Sequence, residues 1–444
     1  MTADPARFDR RLIAPMFVGS VLNPINSSML AVALVPIGAA FGVPPSQTAW
    51  LITGLYLATA VGQPVIGRLV DLYGPRPLYL IGTTLVGIAG LLGALAPTLG
   101  VLVLSRVLLG FGTSAAYPAS MSLIRSEADR TGMDTPAGIL SGLSIANQVI
   151  AVIGPTLGGL LIGLGGWHLI FTINVPLSLI CVVLGSLWLP RRSRTRTAGR
   201  LDYAGATLFA ATLVSLMLFL MEPRLSRWYL LVFALAVGVL FVVAQMRVLE
   251  PFIDLRVLGG NRPLVATYVR QVLAYVVSYS FLYGFTQWLE EGRRLSASAT
   301  GLLLLPLSVT AVLITALTGR RAQIRGKLVA GSILLVAAVG VQVLVGSQTP
   351  IWALALVGVL AGLPQGLNGL ANQTALYQQA DPARMGSSAG LLRTCLYLGA
   401  LIAAAANARF FQHGATTSGL HELSLFLIVV AGLLVLVTLV KLPD

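Results

Sequence analysis

Three arginines stand inside long apolar runs of this chain: Arg106, Arg270 and Arg393. A guanidinium in hydrocarbon is costly, so each marks a transport pathway, a buried partner, or a side chain reaching back to the lipid headgroups. Arg270 and Arg393 sit near the inner ends of their expected helices, where pathway and snorkelling are both open readings. Arg106 points more strongly to a pathway. No acid accompanies them, because all 15 carboxylates fall in termini, loops or helix ends. A cavity around these arginines would be neutral to positive, suited to neutral or anionic amphipathic molecules rather than cationic dyes.

Amides and phenols recur at helical spacing near those arginines. Gln271, Tyr275, Tyr279 and Tyr283 are four apart and share one slowly drifting face. Gln365, Asn368 and Asn372 share another, Asn147 and Gln148 follow in an earlier run, and Asn23 and Asn26 interrupt the first. Buried amides in lipid either face a wet cavity or bond neighbouring helices. Tyr283 has a second reading, an interfacial aromatic belt with Trp288. Nothing here resembles a catalytic centre: His168, His413 and His421 fall near outer boundaries, and Cys181 and Cys395 lie singly inside apolar runs. No enzyme, metal site or cofactor is expected.

The elements holding these residues follow from composition. With 56% hydrophobic and 10% charged residues and a mean hydropathy of +0.87, a chain of 444 residues cannot hide its apolar surface in a soluble fold. An all-α integral membrane protein is expected. Apolar segments of spanning length run over 15–39, 48–69, 78–97, 101–123, 138–163, 168–189, 203–221, 228–248, 264–288, 299–319, 328–346, 350–370, 388–408 and 423–440. Of 29 Lys and Arg, only Arg224, Arg227, Arg293, Arg294 and Arg409 fall in one set of alternate loops. Outside the three buried arginines, the other 21 lie in the opposite set and the termini, which puts both termini in the cytoplasm. The net charge of +14 is explained by that bias, and no nucleic-acid partner is expected.

Gly67 to Pro77 is the charged punctuation between two apolar runs and reads as a tight loop, with Gly67 and Gly74 for the turn and Arg68, Asp71 and Arg76 at the water boundary. Gly319-Arg320 and Gly326 repeat the interval of Gly67-Arg68 and Gly74, with Gln323 at the place of Asp71. The repeat divides the chain into a six-helix bundle at 1–190, a basic linker at 191–202, two inserted helices at 203–248, a loop at 249–263 and a second six-helix bundle at 264–444.

These features together resemble the major facilitator superfamily, in its fourteen-helix drug:proton antiporter branch. Gly67 to Pro77 is similar to that superfamily's Gly-x-Leu-x-x-Asp-x-x-Gly-x-Arg loop, and Gly154-Pro155-Thr156-Leu157-Gly158-Gly159 resembles the antiporter motif, with Ile150 replacing the family's earlier glycine. Trp167-His168, Phe171 to Pro176, Leu201 to Gly205 and Pro251 to Arg256 resemble the branch's usual joins. The resemblance implies that Asp71 latches a gate by pairing with arginines and a helix N-terminus, the alternative being a solvated loop charge. It also implies that Arg106 is linked to proton transfer, although Leu109 stands where the family has a polar residue. The glycine face of Gly154 and Gly158 suits either a helix on which two bundles rock or static packing. In the first helix the branch commonly carries an acid; Asn26 is nearest that position and cannot titrate. The function so implied is secondary active, proton-coupled efflux of small amphipathic compounds by alternating access in the cell inner membrane. Its partners are a small-molecule substrate, protons and the lipid bilayer, and the chain is expected to be a monomer. An uncoupled facilitator, or an importer of a neutral or anionic molecule, is the alternative.

Overall fold

A backbone in hydrocarbon must satisfy its own hydrogen bonds, which the apolar segments do by forming helices. The structure, a computed structural model, describes residues 8–30, 32–132, 136–191, 200–221, 224–295, 297–321, 323–412 and 414–440, and no strand occurs among them. Arg192, Arg194 and Arg196 of the expected linker lie outside the described residues. The long helices are α1 (Ile13–Leu30, with a short continuation at Leu34–Phe41), α2 (Pro45–Tyr73), α3 (Pro75–Ala94), α4 (Leu99–Thr131), α5 (Ala137–Gly165), α6 (His168–Trp188) and α7 (Tyr203–Met221). They continue as α8 (Trp228–Arg247), α9 (Arg262–Gln287), α10 (Ala297–Gly319), α11 (Ile324–Val343), α12 (Ile351–Gln379), α13 (Met385–Phe410) and α14 (Thr417–Val440).

Among the described residues, twelve helices are long and apolar enough to cross a membrane, or thirteen when the two parts of α1 count as one span. The remaining expected span is α9, which runs for 26 residues but carries Arg262, Arg270, Gln271 and four tyrosines. Its polar side is turned inward: α9 packs on α12, α13 and α14. Bulky apolar side chains such as Leu164, Leu235, Val239, Leu302 and Leu433 are exposed on the outer surface, as a lipid solvent requires.

The expected loop at 67–77 is corrected to a single-residue break. α2 continues through Asp71 to Tyr73, Gly74 alone turns the chain at φ 92°, and α3 starts at Pro75. The left-handed φ favours glycine there, and proline needs no amide partner at a helix start. Asp71 is therefore on the last turn of a rigid helix. Gly326, its expected repeat partner for the turn, lies inside α11 instead.

Within α1 to α6, α1 packs on α5, α2 on α4, and α3 on α4 and α6; within α9 to α14, α12 packs on α10 and α11, α9 on α13 and α14, and α11 on α14. The two sets meet along α2 against α13 and α5 against α10, while α7 and α8 pair with each other and α7 touches α2 and α13.

Candidate functional site

At one end of the seam, α2 and α13 come into backbone contact. A Cβ at Gly67 would strike the Gly386 carbonyl, and one at Gly390 would strike the Gln63 carbonyl. That closeness delivers Asp71, only 2% exposed, to the first turn of α13. Asp71 Oδ1 accepts the Gly386 amide at 2.8 Å, and Oδ2 accepts the Ser387 amide at 2.8 Å and the Ser387 hydroxyl. These amides have no partner inside their own helix, and the positive end of the helix dipole faces the carboxylate. Arg68 is buried one turn before Asp71. Arg76 is not part of this contact, since its Nη2 donates to the Ser186 carbonyl at 2.8 Å and so ties α3 to α6.

Further contacts seal the same end. The Arg125 guanidinium lies 5.5 Å from the Tyr377 ring centroid, and Gln373 Nε2 is 3.9 Å from Met121 S. Thr394 Oγ1 donates to the Ala60 carbonyl at 2.7 Å. Gln148 Nε2 donates to Thr315 Oγ1 at 3.1 Å. At the innermost level Tyr397 donates to Asn23 Oδ1 at 2.8 Å, and Asn23 donates to Thr113 at 3.0 Å.

Between these contacts lies a polar cavity of about 80 Å³, lined from one side by Tyr117, Ser144 and Gln148 and from the other by Gln271, Tyr275, Gln365, Gln373 and Arg393. Arg393 lies 4.0 Å from the Tyr117 ring centroid, a cation over an aromatic face that bridges α13 and α4. The structure thus brings together Gln148, Gln271, Tyr275, Gln365 and Arg393. Tyr279 continues the row beyond them, its ring tilted against both neighbours, with centroids 5.5 Å from Tyr275 and 5.4 Å from Tyr283.

Other expected cavity residues are elsewhere. Asn26 and Asn174 exchange both amide bonds, at 2.6 and 2.9 Å, and neither is exposed. Asn147 bonds the Leu143 carbonyl and Ser20. Asn372 donates to Gln271 at 3.1 Å, and Asn368 faces Gly331 of α11. Gln365, Asn368 and Asn372 therefore serve three different neighbours, because the face they share is wide enough to meet α11, α9 and the cavity.

Snorkelling is corrected for Arg270. It has no exposed surface, donates to Thr267 Oγ1 at 2.7 Å, and begins about 12 Å into α9 at 1.5 Å per residue. The belt reading is corrected for Trp288, which is fully buried and donates to Thr417 at 3.1 Å. Arg106 is fully buried too; its Nη2 and Nε donate to the carbonyls of Asn26 (3.0 Å) and Leu51 (3.3 Å), and Nη1 is without a hydrogen-bond partner. Gly154 and Gly158 pack against Ser28 and Met29 of α1, and Gly159 faces open space. Pro155 lies within the unbroken α5.

Sequence reasoning missed Tyr117, Ser144, Gln373, Gly386, Ser387, Asn174 and Tyr397. Only Tyr397 carried a legible signal, one helical turn after Arg393.

A model of the family described as Major Facilitator Superfamily matches residues 16–404. The chain belongs to that superfamily. It is 31% identical over 424 residues to the uncharacterized MFS-type transporter YwoD of Bacillus subtilis, covering 93% of both chains. It is 30% identical over 389 residues to the multidrug resistance protein Stp of Mycobacterium tuberculosis, covering 85% of this chain and 71% of Stp. The riboflavin transporter RibZ of Clostridioides difficile is 26% identical over 406 residues, covering 90% of this chain and 87% of RibZ. The fold is also that of the crystal structure titled human organic anion transporter MFSD10 (TETRAN), with a TM-score of 0.70 at 16% identity, covering 96% of this chain and 99% of that one. As a Major Facilitator Superfamily member it is a multi-pass membrane transporter of a small molecule and not an enzyme.

Proposed function

We propose that this chain is a secondary active exporter of small amphipathic organic compounds, drugs among them, that works by alternating access with proton exchange as its energy source. The carrying observation is the Asp71 contact with α13: a carboxylate on one set of helices holds the helix start of the other, closing one end over a polar cavity. Charged hydrogen bonds that can be made and broken suit a gate. The 21 basic residues on that side support reading it as cytoplasmic, with both termini there and the chain in the inner membrane. On that reading the conformation is closed to the cytoplasm. The likeness to Stp supports efflux.

In this reading the chain spans the membrane fourteen times, α9 included, as a monomer. Residues 1–190 and 264–444 move as two six-helix bundles, with the linker 191–202, the inserted helices 203–248 and the loop 249–263 between them. Asp71, Arg68 and the Gly67 contact form the gate, Arg106 supports proton coupling, and the residues around Arg393 bind substrate.

A second reading is an uncoupled facilitator or importer of a neutral or anionic molecule. It is favoured by the Asn26–Asn174 pair, which puts two amides where a helix 1 acid would titrate.

Transport by inside-out vesicles under an imposed pH gradient separates the two. Protonophore-sensitive uptake of neutral or anionic amphipathic compounds is expected. Uptake indifferent to the gradient would support the facilitator, and strong transport of quaternary ammonium compounds would contradict the arginine cavity.

A further inference from the structure

A second cavity of about 80 Å³ opens at the Asp71 end, apart from the one around Arg393. Its walls include Phe252 and Leu264, both buried, and its exposed rim carries Asp381. Asp254 and Arg384, both half-buried, line it as well and pair at 3.4 Å. Asp381 accepts the Ala383 amide through Oδ1 at 2.9 Å. Two carboxylates face one guanidinium, so this cavity is net negative in a chain whose net charge is +14.

Two separate structural systems build the walls. On one side, Asp202 Oδ2 accepts the Gln245 side-chain amide at 2.8 Å and the Phe252 amide at 3.4 Å, and Ile253 donates to Gln245 Oε1 at 3.0 Å. The Phe252 ring lies 5.5 Å from that of Phe209. These contacts fasten the stretch after α8 to α7 and α8. On the other side stand Arg384 and Ser387, and Ser387 is the residue that holds Asp71. The cavity therefore lies between the α7–α8 pair and the helix start that forms the latch.

We propose that this cavity binds small amphipathic amines, a short alkyl group carrying one ammonium, and that an occupant ties the α7–α8 pair to the latch turn of α13. The apolar walls take the hydrocarbon part, while the carboxylates at the rim take the ammonium. A cavity of about 150 Å³ accepts a whole benzene; at about 80 Å³ this one takes a short alkyl chain and not an aromatic ring, which leaves the ammonium at the rim. An anion would meet two carboxylates, and a neutral analogue would forgo the charge-assisted contact. The site goes beyond the transport reading, since it lies outside the Arg393 cavity.

The test uses the full chain purified in detergent, with n-propylammonium as the probe, binding measured by calorimetry and amide hydrogen exchange followed over 383–391. Saturable binding is expected, at least tenfold weaker for 1-propanol and at least tenfold weaker in Asp381→Asn, which keeps the helix cap. Leu264→Trp, which fills the cavity, is expected to abolish it; if that variant fails to fold, Asp381→Asn still decides. Binding is expected to slow exchange at 384–388 by at least threefold. Affinity unchanged in Asp381→Asn, equal affinity for 1-propanol, or loss of binding in Arg393→Gln would overturn the site. Exchange at 384–388 unchanged at saturation would overturn the tie to the latch. None of these readouts depends on transport or on a proton gradient, so they fail or succeed apart from the exporter reading.

Discussion

Ser387 gives Asp71 two hydrogen bonds, one from its amide and one from its hydroxyl, across the seam between α13 and α2. With the Gly386 amide the carboxylate accepts three. Hydrogen bonds to a charged group contribute about 1.5–3 kcal/mol each, and unpaired buried donors cost about as much again. Asp71→Asn keeps the volume and loses the charge, so it is expected to raise the open fraction of this end about tenfold or more. The check is alkylation of Ser144→Cys, on the cavity wall, by a membrane-impermeant maleimide from the Asp71 side. An unchanged rate would mean that other contacts hold the end closed.

Gly67 faces the Gly386 carbonyl with no room for a Cβ, whereas Gly159 has nothing within 4 Å. Gly67→Ala must push α2 from α13, and overpacking of this kind costs about 1–3 kcal/mol. A lowered Tm together with a faster Ser144→Cys reaction is expected for Gly67→Ala. Gly159→Ala is expected to stay within about 0.5 kcal/mol of the parent, as a site with free space should.

The reciprocal bonds between Asn26 and Asn174 join α1 to α6 with no exposed surface at either residue. Replacing one partner leaves a buried amide unsatisfied, at about 1–3 kcal/mol, while replacing both removes the mismatch. Asn26→Leu and Asn174→Leu are each expected to lower the Tm, and the double variant to cost less than their sum by about 1 kcal/mol. Strictly additive losses would show that the two amides act independently.

Arg393 is the charged group lining the central cavity and stacks on Tyr117. Arg393→Gln is expected to weaken binding of an anionic amphipathic compound about tenfold, in line with one lost charge-assisted contact. Arg393→Lys keeps the charge without the planar stacking and is expected to fall between. A neutral analogue should change less than about twofold, measured by equilibrium binding to the purified protein. Equal losses for anionic and neutral compounds would point to a packing role.

The long helices were legible in the sequence because hydrocarbon allows few alternatives to a helix, so apolar length alone announces them. Even so, α9 blurs the count, since its polar residues face other helices rather than lipid. The glycine and proline at Gly74 and Pro75 announced a turn, yet not that Asp71 would still be on the helix before it.

Of the candidate site, residue type and spacing named Arg393, Gln148, Gln271, Tyr275 and Gln365. Spacing could not distinguish them from Asn26, Asn368 and Asn372, because an amide on a buried face is equally well served by water or by another helix. Only the packing decided that Asn26 would pair with Asn174 and Asp71 with Gly386 and Ser387. Those partners lie 148, 315 and 316 residues away in the chain. Composition and local pattern determined that the chain would form membrane helices, since each helix satisfies its own backbone. Which polar side chains close the gate and which line the cavity was decided by how those helices pack, since a side chain's partner on another helix has no trace in its own local sequence.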